Sequence, residues 1–331
     1  MTNVPGTRAR RAERLLRWYP RDWRARYGDE FAELLISDMA EHPRSIKRPA
    51  DVAVSGIVAR AAYAGLGQST LDPADRTRRT LIAFGCAAGI FVTFGLGMWA
   101  QMTIGWQWSA PNTVATSAAM VVMSYSVLAL LSLGAFAVLP IAWPLVRDLR
   151  SNTRLFGPLG LALGGAGVFI VGARHFANGW PGTGGHPWAH QGLVPGGVAA
   201  FAWSATLFVT AYWVHPASLL SFPAPEIAWM VVSPLTLFCS GIGAVRLLRE
   251  IDLSPDLLRL EARLAQLGGV VMVLFLIGAS LWVVDGGPGP RNLFHVGAID
   301  VVGICVMVAA LVTAGRALQM IDFRSGPVAT P

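Results

Sequence analysis

Two long stretches of this sequence contain no charged side chain apart from histidine. The first lies between Arg79 and Arg147, and the second lies between Arg174 and Glu226. A helix needs roughly 20 apolar residues to cross a bilayer, so each stretch has room for two crossings and a loop. Only 14% of the 331 residues are charged, whereas an ordinary soluble domain has about 25%. These features predict an integral membrane protein and argue against a soluble globular enzyme.

Clusters of Pro, Gly, Asn and Trp divide the apolar part into about seven hydrophobic segments, which predicts six to seven full spans. None of the segments has the short alternating pattern of an outer-membrane strand. The predicted fold is therefore all-α: a polytopic transmembrane helical bundle over residues 80–320, preceded by a small basic helical module over residues 1–79 and followed by a short flexible tail over residues 321–331. The segments lie near residues 80–103, 119–143, 155–175, 198–214, 227–245, 266–284 and 296–315.

The distribution of charge predicts the orientation of the first span. Residues 1–80 contain 15 basic and 10 acidic residues, a net charge of +5. Three arginines, Arg76, Arg78 and Arg79, precede the first segment, whereas residues 104–118 contain no Lys or Arg. Because cytoplasmic loops are enriched in Lys and Arg, the N-terminal module is predicted to be cytoplasmic.

Further along the chain, the number of segments and the charge rule give opposite orientations. Seven full crossings would place the C-terminus outside, whereas the arginines around residues 246–263 and 316–324 favour the inside. One segment among the third, fourth and fifth could be re-entrant or half-length, and the proline-interrupted region from His215 to Glu226 is the best candidate. We expect an inside C-terminus, with the other orientation kept as the alternative.

The N-terminal module is predicted to contain three helices. Thr7 is predicted to cap a first helix that reaches Trp18, and a new helix is expected to begin near Asp29 and to end before Pro43. A third helix is predicted over residues 49–65. Residues 254–264 form another amphipathic pattern, which predicts either a helix lying on the membrane surface or an extension of the sixth span.

The stretch from Arg14 to Phe31 carries the most specific local pattern. It resembles the Tyr-Pro-Arg, Trp-Arg and Tyr-Gly-acid signature at the start of many bacterial, notably actinobacterial, multi-pass membrane proteins of unassigned function. The resemblance implies a multi-pass protein of the bacterial plasma membrane, of the kind that is permease-like or associated with signalling. The residues of the module that carry it are Trp18, Tyr19, Pro20, Trp23, Tyr27, Gly28 and Phe31.

Chemistry-bearing residues lie near the ends of the predicted spans. His186 and His190 are four residues apart, a spacing found in helical metal sites, but Pro187 and nearby glycines predict a loop. The alternatives are a metal, haem or quinone site and a set of interfacial histidines in an aromatic belt, and the second is favoured. No cofactor is predicted. The candidate polar site comprises Arg174, His175, His186, His190, Asp285, His295 and Asp300.

Three classes of function remain open from the sequence. The favoured hypothesis is a non-enzymatic signalling or regulatory membrane protein that recruits a cytoplasmic partner through residues 1–70. The alternatives are a permease or transport-accessory protein and a metal- or haem-dependent membrane enzyme. Basic and acidic residues alternate in the module, so we expect contact with an anionic bilayer rather than with nucleic acid.

Overall fold

The computed structural model describes residues 4–43, 45, 47–67, 73–103, 113–179, 224–286 and 298–321. In these ranges the chain forms nine α-helices and no strand, which confirms the all-α prediction. The chain divides into two compact units, one formed mainly by residues 1–80 and the other mainly by residues 81–319. The module helices are α1 (Val4–Leu16), α2 (Arg21–Glu41) and α3 (Lys47–Ala61). The remaining helices are α4 (Pro73–Thr103), α5 (Val114–Leu149), α6 (Phe156–Gly179), α7 (Ala224–Glu250), α8 (Pro255–Gly286) and α9 (Ala298–Met320).

The module folds around a small apolar core. Ala12 and Leu16 of α1 lie four residues apart and therefore on one face of the helix, where they meet Leu35, Met39 and Val52 from the other two helices. The second helix runs without a break through Gly28, so the prediction that a new helix begins near Asp29 is wrong. Gly28 is buried there, and glycine costs only about 1 kcal/mol relative to alanine inside a helix.

Helices α4 to α9 are each long and apolar enough to cross a membrane. They correspond to six of the seven predicted segments, and the fourth segment, residues 198–214, lies outside the described residues. Large apolar side chains such as Phe136, Leu139 and Phe238 are exposed on these helices. A water-facing surface would not be built this way, so the bundle is a membrane-embedded structure surrounded by lipid.

The sixth predicted segment proves longer than the sequence pattern indicated. Helix α8 begins at Pro255 and continues to Gly286, so the amphipathic stretch over residues 254–264 extends the span. Pro255 stands at its first position, where the missing N–H costs no hydrogen bond. A separate surface helix, the other alternative from the sequence, is therefore not formed.

Close contacts fix the relative directions of α4, α5, α8 and α9. Gly278, near the end of α8, packs against Met123, near the start of α5, so these two helices are antiparallel. Helix α4 runs parallel to α8, because an added Cβ on Gly268 would lie 3.5 Å from Phe84 and one on Gly95 would lie 3.0 Å from Phe275. The end of α9 lies beside the first half of α8, where Leu318 faces Gly269.

Helices α6 and α7 are antiparallel and pack with their backbones almost in contact. A Cβ added to Gly165 would lie 2.6 Å from the carbonyl oxygen of Thr236, and one added to Gly243 would lie 2.5 Å from the amide nitrogen of Ala162. Ser240 also donates a hydrogen bond of 3.0 Å to the carbonyl oxygen of Ala162. Residue numbers rise along α6 while those of its contacts fall along α7, which sets the direction.

An apolar cluster lies at one end of the bundle, which we call the Leu155 end. It joins the starts of α4, α6 and α8 to the ends of α5 and α7. Asp148 stabilises the same end. One of its carboxylate oxygens accepts a hydrogen bond of 3.0 Å from the Asp252 amide, and the other accepts one of 3.0 Å from the Arg147 guanidinium. The buried members of this cluster are Leu155, Leu247, Ile251, Leu253 and Leu258.

The helix directions are relevant to the side of the membrane on which the chain ends, where the number of predicted segments and the distribution of charge gave opposite results. Helix α6 ends, and α7 begins, at the end of the bundle opposite the Leu155 end. Helix α9 runs back toward the Leu155 end, where α4 also starts. The six described helices therefore alternate in direction, although one predicted segment lies between α6 and α7 in the sequence.

This arrangement predicts a labelling pattern for introduced cysteines. In a chain whose three cysteines are replaced by serine, Ser151→Cys and Asp256→Cys should react with an impermeant thiol reagent from the same side of the membrane. Ala224→Cys, at the start of α7, should react from the other side. Labelling of Ala224→Cys from the same side of the membrane as Ser151→Cys would contradict the antiparallel packing of α6 and α7.

The glycines of α6 supply a second prediction with an internal control. The spacing of Gly160 and Gly164, two small residues four apart, is a pattern that predicts close helix contact. A Cβ at either position meets no described atom within 4 Å, however, and Gly165 makes the contact instead. We expect Gly165→Ala to lower the free energy of unfolding by about 1–3 kcal/mol, the usual cost of overpacking. Gly164→Ala should leave it unchanged or raise it. Thermal unfolding in detergent measures both, and equal losses would contradict the packing.

Candidate functional sites: the bundle end and the amino-terminal module

The helix directions bring four members of the predicted polar site to one end of the bundle. Arg174 and His175 are near the end of α6, Asp285 is near the end of α8 and Asp300 is in the first turn of α9. All four positions lie toward the end opposite the Leu155 end. Their side chains are outside the described part of the structure, and convergence on a shared pocket stays a prediction. The remaining members, His186, His190 and His295, lie outside the described residues.

The described residues contain no group of three His, Cys, Asp or Glu side chains that could hold a metal ion. The three cysteines are free, and each lies in a different membrane helix. A cavity between α4, α5 and α8 is lined by apolar side chains, among them Phe91, Val127 and Phe275. It offers no polar group that could coordinate a cofactor or bind a charged substrate.

The signature residues of the module form an aromatic cluster at the turn between α1 and α2. The rings of Tyr19 and Trp23 stack with centroids 4.1 Å apart, and Phe31 meets Trp23 edge-on at 5.5 Å. Tyr27 extends the cluster, with its centroid 5.5 Å from that of Trp23. Pro20 stands at the N-cap of α2 in an extended conformation, which ends α1 and starts the next helix. The signature therefore builds the corner that joins α1 to α2.

Trp18, the first residue of the signature, fixes the position of α3. The Cα of Gly56 lies so close to Trp18 that an added Cβ would be 2.6 Å from the tryptophan Cβ and 2.9 Å from its carbonyl carbon. Only glycine fits this approach without a shift of the backbone. The sequence pattern of α3 gave no indication of this contact, because it depends on a residue 38 positions earlier.

Two arginines of α3 cap the C-terminal ends of the other module helices. Arg48 is buried, and its guanidinium donates to the carbonyl oxygens of Asp38 at 3.1 Å and His42 at 2.6 Å, at the end of α2. Arg60 donates to the carbonyl oxygens of Arg17 and Trp18, both at 2.6 Å, just beyond α1. The last carbonyls of a helix lack internal partners and carry partial negative charge, so a cation there is favourable.

Arg48 also forms an ion pair with the Asp38 carboxylate. The hydrogen bond from this guanidinium holds the pKa of Asp38 below its ordinary value. The arginine thus joins one side chain and two backbone carbonyls of α2 to α3. Sequence reasoning missed both capping arginines, because their partners lie in other helices and an arginine-rich segment does not distinguish buried from solvated members.

Two surfaces of the module are exposed and have contrasting chemistry. The first, which we call the α3 stripe, consists of Val54, Ile57 and Val58, which are 61%, 54% and 63% exposed. Their spacing places them on one face of α3, away from the buried Val52 and Gly56. The second, the α1 arginine face, consists of the exposed side chains of Arg10, Arg11 and Arg14 on α1 and of Arg17 just beyond its end.

No protein-family model, curated protein or solved structure matches this chain.

The Asp38–Arg48 pair predicts an acid-sensitive module. Because the folded-state pKa of Asp38 is lowered, the pair stabilises the fold above the unfolded-state pKa of about 3.9, and this contribution is lost as the pH falls through the folded-state value. We expect Asp38→Asn to remove this component of acid sensitivity. Hydrogen exchange of the α3 amides in the full chain, corrected for intrinsic pH dependence, measures it.

The matched control is Asp51→Asn, which removes an exposed acid from α3 itself. It should leave the pH profile of α3 exchange unchanged. Arg48→Ala should increase exchange already at neutral pH, because it also removes the cap of α2. Identical pH profiles for the natural chain and Asp38→Asn would contradict the stabilising role of the pair.

Proposed function

We propose that this protein is a non-enzymatic regulatory membrane protein whose N-terminal module binds a protein partner in the cytoplasm. The observation that carries the proposal is the α3 stripe. Three aliphatic side chains lie more than half exposed on a helix whose opposite face already packs in the module core. Fully burying a side chain such as valine or isoleucine is worth about 1.5–3 kcal/mol, so a partner that covers the stripe gains binding energy.

The occupant we propose is an apolar face of a helix in another protein. The stripe has the spacing i, i+3 and i+4, which matches the row of anchors through which one helix packs on another. It is flanked on α3 by the exposed polar residues Lys47 and Ser55. A small apolar centre with a polar rim is the usual composition of a reversible protein interface.

The cytoplasmic placement of the module is part of the same proposal. The connections at the Leu155 end are rich in arginine, whereas the sequence of the opposite connections contains few basic residues. By the positive-inside rule, this supports a cytoplasmic Leu155 end, with both α4 starting and α9 ending on the inside of a bacterial plasma membrane. The arginines near this end include Arg147, Arg150, Arg154, Arg246, Arg249, Arg259, Arg263 and Arg316.

Residues 14–31 resemble the signature at the start of permease-like and signalling-associated membrane proteins, and the second of these classes agrees with the proposal. In this chain the signature residues build the aromatic corner of the module. Their role is therefore to shape the module that presents the stripe. Transport and metal- or haem-dependent catalysis are not favoured by any contact or cavity of the described residues.

A site-specific photo-crosslinker tests the proposed interface in the full chain. Placed at Ile57 in living cells, it should form an adduct with a cytoplasmic protein, and the same adduct should be lost when Val58→Glu is added. Leu34 is the matched control, because it is 64% exposed but lies on α2. Leu34→Glu should leave the adduct unchanged.

The captured protein must then bind the purified full chain, and Val58→Glu should weaken that binding at least about tenfold, which corresponds to the loss of 1.4 kcal/mol. Adducts that contain only lipid or only a second copy of the chain would overturn the proposal. So would equal effects of Val58→Glu and Leu34→Glu.

A further inference from the structure

Helix α1 and the residue just after it present four arginines whose charges are not balanced by ion pairs. Arg10, Arg11, Arg14 and Arg17 are exposed, and none forms a salt bridge with a described carboxylate. Arg14 donates a long hydrogen bond of 3.5 Å to the carbonyl oxygen of Arg10, one turn earlier in the same helix. Like charges this close on a helix destabilise it, so the surface is suited to an anionic partner.

Acidic residues are concentrated in another part of the module, the second half of α2. After Gly28, helix α2 contains five acidic residues and no basic one. A partner that wraps around the module, as a long polyanion does, would meet this acidic half. A flat anionic surface can approach α1 alone while the acidic residues remain in solvent. They are Asp29, Glu30, Glu33, Asp38 and Glu41.

The connection between the module and the first membrane span is short. The π-helical turn that follows α3 ends at Leu66, and the first membrane span begins at Ala74. Even a fully extended connection between these residues reaches only about 30 Å, at roughly 3.3–3.6 Å per residue. The effective concentration of the module at the bilayer surface is therefore high, and weak electrostatic contacts are sufficient to hold it there.

We propose that the α1 arginine face binds the headgroups of anionic phospholipids. Basic side chains near an anionic leaflet gain about fivefold in binding each, and a guanidinium matches a phosphate with two parallel hydrogen bonds. This goes beyond the proposed partner binding, because it uses a different helix and does not involve the α3 stripe. It depends on the proposed function only for the side of the membrane on which the module acts.

The test uses the full chain in lipid nanodiscs and measures how close α1 lies to the headgroups. A chain with its natural cysteines replaced by serine and with Glu13→Cys carries a fluorophore, and the acceptor is a headgroup-labelled lipid. Energy transfer should be higher in discs with 30% phosphatidylglycerol than in discs of phosphatidylcholine alone. The difference should disappear at about 1 M salt, where the Debye length is about 3 Å.

Variants locate the binding surface. Arg10→Gln with Arg14→Gln should lower the affinity for anionic headgroups about 25-fold, since each arginine contributes about fivefold. Arg10→Lys with Arg14→Lys keeps the charge and should retain most of the effect. Arg21→Gln with Arg26→Gln is the matched control, because both arginines are exposed but lie on α2. An equal loss in this control would overturn the assignment to α1.

Competitors identify the chemical source of the anion. Free inorganic phosphate should not reduce the energy transfer beyond its effect on ionic strength. Duplex DNA that abolishes it at equal ionic strength would overturn the lipid proposal and favour nucleic acid. Energy transfer that is equal in zwitterionic and anionic discs would also overturn it. The crosslink at Ile57 tests the partner separately, so either proposal can fail alone.

Discussion

The need to satisfy backbone hydrogen bonds without water determines most of this structure. In the hydrocarbon core each peptide group must find its partner inside the protein, and an α-helix provides that partner within its own segment. Because lipid is as apolar as leucine, the helices gain little by hiding apolar side chains from it and associate mainly through close packing. The contact of α6 with α7 shows this directly, since Gly165 and Gly243 bring one backbone against the other.

The module follows a different rule, because two of its three helices are short. Helix α1 has 13 residues and α3 has 15, lengths that are marginal for isolated helices. Packing and capping therefore stabilise them together. Arg48 and Arg60 place one cation at the end of each neighbouring helix, so α3 binds backbone carbonyl oxygens at the ends of both α2 and α1. The aromatic corner then fixes the angle between α1 and α2.

The sequence predicted the elements of the fold better than their contacts. Hydropathy is a property of each segment alone, so the spans could be placed without knowing their neighbours. Which of the glycines Gly160, Gly164 and Gly165 makes the close contact could not be predicted, because it depends on which face of α6 meets α7. The capping arginines were missed for the same reason, and the directions of the six described spans likewise follow only from their contacts. The polar site stays a prediction, since its side chains lie outside the described residues.

The pairing of α6 with α7 also has a consequence for synthesis. Ser240 and its acceptor Ala162 are 78 residues apart. At synthesis rates of about 5–20 residues per second, the ribosome adds Ser240 roughly 4–16 s after Ala162. During that interval α6 exists without α7 against its glycine face. Its own hydrogen bonds maintain it until α7 arrives, and the tight contact is therefore a late step of assembly.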